Sequence, residues 1–256
     1  MAQRTRRGPI AIHEQNVVPG RTNLWLARIA DRVCVSFEET LAYFPTPKAV
    51  LTGMPVRREF LSLPNCASAR RELGLRDDLF TVLVIGGSQG ARSLNELVLG
   101  AWPLLDDCAT QVLHQAGERN VKELQARAMP GRERYALVGY VNTPAAMAAA
   151  DLIVSRSGAG TVSEIAAAGL PAILVPYPHH ADKHQKRNAE LLVWRGAAVL
   201  MQESEADPGK LADTVARLRS DREKLSSMAA ASKSLAMPDA AKNVAHVVLS
   251  LAGAGL

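Results

Sequence analysis

Residues 151–178 read DLIVSRSGAGTVSEIAAAGLPAILVPYP. Leu152–Val154 is an apolar run, and Ser157-Gly158-Ala159-Gly160 is a turn of small residues. Thr161–Ala168 has helical periodicity, Gly169-Leu170-Pro171 stops it, and Ala172–Val175 is a second apolar run. This predicts strand, tight turn, helix and strand, one βαβ unit of a parallel sheet. Such sheets bind ligands at the carboxyl ends of their strands, where bare N–H groups of helix N-termini attract anions. Gly158 and Gly160 would let a phosphate approach the backbone. Glu164, one turn further on, could accept a hydrogen bond from a sugar hydroxyl. The same residues also fit a scaffold, because Thr161-Val162-Ser163-Glu164 has the form of a capping box.

The alternation extends outward from this unit. On the N-terminal side it predicts a helix at about Ala67–Leu73 and a strand at Phe80–Ile85 that ends in Gly86-Gly87-Ser88-Gln89-Gly90. A helix through Leu104, strand Gln111–His114, helix Glu118–Arg127, strand Tyr135–Val138 and a short helix Pro144–Ala149 follow. Beyond Tyr177 come a helix in the second half of 179–195, strand Ala197–Leu200, and helices near Lys210–Leu218, Arg222–Leu235 and Ala240–Leu251. Six strands separated by helices make a doubly wound α/β domain. Before it, Ile10–Ile12, Val33–Val35 and Val50-Leu51 read as short strands, with an amphipathic helix at Thr22–Ala30. The turn-rich Thr52–Arg57 reads as a crossing between domains.

A chain of 256 residues with 48% hydrophobic residues can bury a substantial core. Its net charge of +5 favours anionic partners such as nucleotides, phosphates or a lipid surface. Aromatics are 4% of the residues, too few for base-stacking platforms, and no nucleic-acid-binding signature is present. Cys34, Cys66 and Cys108 lack metal or CxxC spacing and read as buried thiols in a reducing compartment. No apolar run approaches the roughly 18 residues of a membrane span.

Several constellations carry chemistry. Gly86–Gly90 matches G-x-S-x-G, the nucleophile elbow of α/β-hydrolases, with Asp182 and His184 as possible partners for Ser88. No HGGG-like oxyanion loop precedes it, and two glycine-rich helix starts in one sheet suit a diphosphate better than an ester. His180 and His184 stand four apart, as on one helix face, but a zinc site needs further ligands. Gln185 offers a donor and an acceptor suited to sugar hydroxyls, and Arg57 could clamp a phosphate.

Taken together, HEQN at His13–Asn16, GMPVR at Gly53–Arg57, GGSQGAR at Gly86–Arg92, the Ser157–Pro178 stretch and the DKHQKRNA segment closely resemble the MurG family. These are peptidoglycan glycosyltransferases of glycosyltransferase family 28 with the two-domain GT-B fold. The resemblance covers nearly the whole chain. It implies transfer of N-acetylglucosamine (GlcNAc) from UDP-GlcNAc to undecaprenyl-diphospho-muramoyl-pentapeptide (lipid I to lipid II), with inversion. The reaction serves cell-wall biogenesis, cell shape and division. It implies a peripheral enzyme on the cytoplasmic face of the inner membrane that needs no cofactor and no bound metal.

The resemblance also implies roles. Asn16 would touch the GlcNAc sugar and Arg57 a diphosphate oxygen. Ser88, with its glycine turn, would hold the diphosphate or neighbouring hydroxyls. Val141 would meet the uracil through its backbone. Ala159, Gly160, Thr161, Val162, Ser163 and Glu164 would bind the nucleotide, with Glu164 on the ribose diol. Gln185, with His184, would bind GlcNAc hydroxyls. One departure is large: the family opens with a GGTGGH loop and an acceptor- and membrane-binding domain. This sequence begins near the expected end of that domain. The catalytic base, the lipid-diphosphate loop and the contact with an anionic membrane are therefore expected in that missing part, and His13 is not a replacement base. The expected organisation is a GT-B-like α/β chain in three parts. Residues 1–57 would be a remnant of the N-terminal domain, 58–238 a complete Rossmann-like donor domain, and 239–256 a helix packing back on the N-terminal part. The alternative is a non-catalytic UDP-sugar-binding module that needs a partner chain.

Overall fold

The computed structural model of the protein describes residues 8–45, 47–87, 90–105, 109–127, 132–178 and 183–253. The chain divides into two compact units, one of Met1–Val56 with Met237–Leu256 and one of Arg57–Ala236.

In the first unit, strands β1 (Ala11–Glu14), β2 (Arg32–Val35) and β3 (Ala49–Leu51) form a three-stranded parallel sheet in that order. Val33, Val35, Ala27 and Phe44 make its small core. The last helix of the chain, Ala240–Leu251, contacts β2, and Asn243 Nδ2 donates to the Thr52 carbonyl at 3.3 Å. Helix α1 covers Arg21–Leu26, shorter than the expected Thr22–Ala30. None of the six helical residues is buried, and the buried Ala27 follows in a turn over 27–29. The cysteine expectation also needs correction. Cys34 on β2 is buried, whereas Cys66 is exposed, and Cys108 lies outside the described residues.

The second unit carries six parallel strands: β4 (Phe80–Ile85), β5 (Thr110–Gln115), β6 (Tyr135–Val138), β7 (Leu152–Ser155), β8 (Ala172–Leu174) and β9 (Ala198–Leu200). Their order is β6-β5-β4-β7-β8-β9, the doubly wound arrangement. Because helices cover both faces, β4 and β7 are almost wholly buried and read as unbroken apolar runs. Helix α2 is Cys66–Glu72, α3 Arg92–Leu105, α4 Glu118–Gln125 and α5 Thr143–Ala149. Helix α6 is Ala159–Ala168, α7 His184–Trp194, α8 Pro208–Ser220 and α9 Arg222–Ser234. The apolar faces of α3 and α8 close over the sheet, with Trp102 of α3 1% exposed at the centre. Its ring meets Tyr135 edge-on at 5.1 Å, and the Arg134 guanidinium lies 5.6 Å from it.

Strand β5 is buried throughout although four of its six residues are polar, because each of the four is bonded. Gln111 spans Arg76 and Thr81, and Gln115 donates to the Gly139 carbonyl. Thr110 accepts a bond from Arg219. His114 lies between Tyr135 Oη at 2.7 Å and Asn95 Oδ1 at 3.0 Å, and burial pushes its pKa down to about 3, so it stays neutral.

The two ends of this sheet differ. At the amino end Arg70 of α2 pairs with Asp151 at 2.7 Å and donates to the Ala149 and Asp77 carbonyls. The same Asp151 oxygen accepts the Thr81 N–H at 2.7 Å. Asn65 starts the helix that carries Arg70, accepting the Ser68 N–H at 2.8 Å. Asn65→Ala is expected to lower stability by about 1 kcal/mol, read from the urea midpoint at unchanged slope.

Candidate functional site

The carboxyl ends of the strands carry the glycine-rich turns. Strand order reverses between β4 and β7, so their following loops diverge and open a crevice there. A cleft of about 650 Å³ lies at these ends, lined by Gly86, Gly90, Arg92, Arg156, Tyr177 and Gln185 among others. Ser88, the residue singled out in the first turn, lies outside the described residues together with Gln89.

The second turn differs from its capping-box reading. Helix α6 begins at Ala159, with Gly158 as its N-cap (φ −62°, ψ 151°, extended), so Thr161 is its third residue and not its cap. Glycine has no side chain with which to satisfy the first N–H groups, and these remain available to a ligand. A Cβ placed on Gly160 would meet nothing within 4 Å, so open space adjoins the backbone at that residue. Ala159 and Val162 are buried beneath the turn, while Gly160, Thr161, Ser163 and Glu164 are partly exposed.

The structure brings two of the singled-out residues together. Arg57 Nη2 lies 3.6 Å from Glu164 Oε1, and the Arg57 guanidinium sits 5.2 Å from the centre of the Phe60 ring. Arg57 is therefore not the simply solvated side chain that a lone arginine suggests. Glu164 is pulled both ways: burial raises its carboxyl above the ordinary carboxylate value, and the Arg57 charge and hydrogen bond oppose that.

Helix α7 is fastened to the loop after β7. Ser157 Oγ donates to the Gln185 carbonyl at 2.8 Å, and Asn188 Nδ2 donates to the Ser157 carbonyl at 3.1 Å. The Gln185 side-chain carbonyl accepts the Tyr177 N–H at 3.0 Å. This places the Gln185 amide on the cleft wall, with its carbonyl engaged by the protein. His184, its neighbour, is the first residue of α7. His180 and Asp182, invoked for metal or hydrolase chemistry, lie outside the described residues. Among the described residues no group of three or more His, Cys, Asp or Glu could hold a metal ion.

Val141 is buried between β6 and α5. Asn16 belongs to the first unit, where its side chain and N–H both donate to Glu14 Oε1, at 3.2 and 2.8 Å. Glu14, 2% exposed, also accepts from the Gly20 N–H and Asn23 Nδ2, so it orders the segment after β1. His13 Nε2 is 3.0 Å from the Gly53 carbonyl within the same unit.

Sequence reasoning missed Arg156 and Glu203. Arg156 follows β7 directly, is 7% exposed, and is ion-paired with Glu203. It donates to the Val175 carbonyl at 2.9 Å and to Ser93 Oγ at 2.7 Å. The available signal was a charge, Arg156, set between an apolar strand and a small-residue turn, where burial demands a partner.

A family model described as the glycosyltransferase family 28 C-terminal domain matches residues 81–244. A Solibacter usitatus protein named UDP-N-acetylglucosamine–N-acetylmuramyl-(pentapeptide) pyrophosphoryl-undecaprenol N-acetylglucosamine transferase is 42% identical over 98% of this chain and 68% of its own length. The Geobacter sulfurreducens protein of the same name is 40% identical over 95% of this chain and 67% of its own. The crystal structure of Acinetobacter baumannii MurG superposes with a TM-score of 0.77 at 33% identity, covering 94% of this chain and 67% of that one. The chain thus spans about two thirds of the length of these relatives. Staphylococcus aureus MnaA, solved with UDP, shares the fold at a TM-score of 0.73 and 11% identity.

Proposed function

The chain belongs to glycosyltransferase family 28, and from that membership we propose that it transfers GlcNAc from UDP-GlcNAc to undecaprenyl-diphospho-muramoyl-pentapeptide, the reaction for which its relatives are named. The observation that carries this reading is the first turn of α6. It has a glycine cap, open space at Gly160, and the Glu164 carboxylate beside Arg57 one turn on. A nucleoside diphosphate fits such a place: its phosphates take the bare N–H groups and its ribose hydroxyls donate to a carboxylate.

In this reading Ala159, Gly160, Thr161, Val162 and Ser163 hold the nucleotide, Glu164 the ribose, Arg57 the diphosphate and the Val141 backbone the uracil. Gln185 with His184, and Asn16 of the first unit, bind the GlcNAc hydroxyls. Ser88 holds the diphosphate or neighbouring hydroxyls. An acceptor hydroxyl oxygen bonds to the sugar C1 as the bond from C1 to the β-phosphate oxygen breaks, with inversion. The hydroxyl proton passes to a general base that we assign to none of these residues, and UDP leaves with the electron pair. Arg57 and the helix N-termini stabilise the charge that develops on UDP. The acceptor is lipid-linked, so the enzyme works as a peripheral protein at the cytoplasmic membrane face. Among the described residues no helix is long and apolar enough to cross a membrane.

Calorimetric titration with UDP-GlcNAc, with UDP-glucose as control, tests the donor assignment, and transfer to a lipid I analogue tests the reaction. Selective binding with transfer is the expected result. Selective binding without transfer would make the chain a donor-binding module that depends on a partner, and absence of binding would overturn the reading.

A further inference from the structure

We infer that Arg156 is a positioning residue of the donor cleft, holding the start of α3 and the wall made by Tyr177 and Gln185 at the separation that the β-phosphate and sugar of the donor require. The inference rests on the donor-binding reading above and adds to it a residue and a division of labour.

Arg156 leaves the end of β7 and reaches across the reversal of strand order. One guanidinium nitrogen donates to the Val175 carbonyl, at the end of β8, at 2.9 Å, and also bonds to Glu203 just beyond β9. The other donates to Ser93 Oγ, in the first turn of α3, at 2.7 Å. The guanidinium also lies 5.6 Å from the centre of the Tyr177 ring. Three separate segments meet on one side chain, the loop after β8 through Val175 and Tyr177, the loop after β9 through Glu203 and the start of α3 through Ser93, and three of its partners line the cleft: Ser93, Tyr177 and Glu203. Burying a guanidinium is tolerable only when it is paired and bonded, and here the contacts tie three segments to one another. A planar fork with donors in fixed directions can hold several acceptors at set angles, whereas a lysine ammonium cannot.

The partners decide which part of a donor would notice. Ser93 stands in the first turn of the helix that follows the glycine-rich turn, where the reading puts the diphosphate. The Tyr177 N–H is the group bonded to Gln185, where the reading puts the hexose. Glu164, assigned to the ribose, is fastened to Arg57 and makes no contact with Arg156 among those described. Loss of the fork therefore loosens the diphosphate–sugar end and leaves the nucleoside end in place.

The test is calorimetric titration of the full chain and of Arg156→Lys with UDP-GlcNAc and with UMP, which lacks the β-phosphate and the sugar. Thermal unfolding of each protein is recorded alongside. Arg156→Lys is expected to weaken UDP-GlcNAc binding by about tenfold or more while changing UMP binding by less than about twofold. Equal losses for both ligands would mean general loosening of the fold and would overturn the positioning role, as would unchanged UDP-GlcNAc affinity. Ser93→Ala removes only one arm and keeps the question open to measurement if the lysine variant does not fold. It is expected to cost about threefold for UDP-GlcNAc with UMP unchanged, and no loss for UDP-GlcNAc would overturn the role. Failure of the unaltered chain to bind either ligand would instead overturn the donor-binding reading, a result distinct from all of these.

Discussion

A Gly90→Ala chain is expected to lose about 2–5 kcal/mol of folding stability, the sum of a left-handed backbone cost and an overpacking cost. Gly90 sits at φ +71°, and a Cβ there would stand 2.1 Å from the Ala116 carbonyl oxygen and 2.6 Å from Asn120 Nδ2. That carbonyl oxygen is already the acceptor for Asn95 Nδ2 at 3.1 Å and Asn120 Nδ2 at 3.0 Å. Asn95 continues to the buried His114 and on to Tyr135, and the nearest clash is with backbone, so the carbonyl cannot yield as a side-chain end could. Gly87 is the control. At φ +91° it shares the backbone cost, but its Cβ would meet nothing within 4 Å, so Gly87→Ala is expected to cost only about 1–2 kcal/mol. Urea unfolding of the two variants measures the difference. Equal midpoints would show that the close approach to Ala116 does not govern the turn.

Glu164→Ala is expected to weaken UDP-GlcNAc binding by about 1–3 kcal/mol, because it removes the acceptor assigned to the ribose hydroxyls, and Arg57→Ala by a similar amount. The two side chains are 3.6 Å apart, so their losses should not add, and the double variant should bind better than the sum implies. The pH dependence gives a second check. Burial raises the Glu164 carboxyl above its ordinary value of 4.5, so the folded, ligand-free chain holds that proton more tightly than the unfolded chain. Through this group, stability therefore falls as pH rises from the ordinary value through the raised one. Binding runs the other way, since ribose hydroxyls need the ionised carboxylate, and affinity should decline as pH falls through the raised value. Both phosphates of UDP-GlcNAc are esterified and do not titrate in this range, so a decline that persists in Glu164→Gln would refute the assignment.

The doubly wound unit was legible because its strands are apolar runs punctuated by glycine. Phe80–Ile85 and Tyr135–Val138 have the expected bounds. The start of α6 was not, because Gly158 caps it without a side chain and Gly158-Ala159-Gly160 leaves no periodic signal, whereas Thr161 and Glu164 imitate a cap further along the chain. Helix α1 was overestimated because its apolar spacing is amphipathic, whereas its large apolar side chains Leu24 and Trp25, and Ile29 beyond it, stay exposed. Among the candidate residues, the pairing of Arg57 with Glu164 was invisible, since more than a hundred positions separate them in sequence. Glu14 and Arg156 were passed over for one reason. A charged residue signals exposure until the fold shows it surrounded by donors or acceptors, as each of these is.

The reversal of strand order also sets the sequence in which the second unit assembles. Within each half of the sheet the partners are near neighbours along the chain, as in the pairing of Ile153 with Ala172 or Val112 with Tyr135. Among the described residues, strands of the two halves pair only between β4 and β7, where Val82 pairs with Leu152. Closing that long loop costs more chain entropy than any closure within a half and yields nothing until both strands are in place. The halves are therefore the early folding units and the β4–β7 seam the late one. The crevice that the reading gives to the nucleotide diphosphate comes into being only when this seam closes, so a ligand there would rest on the last part of the sheet to form and act as its latch.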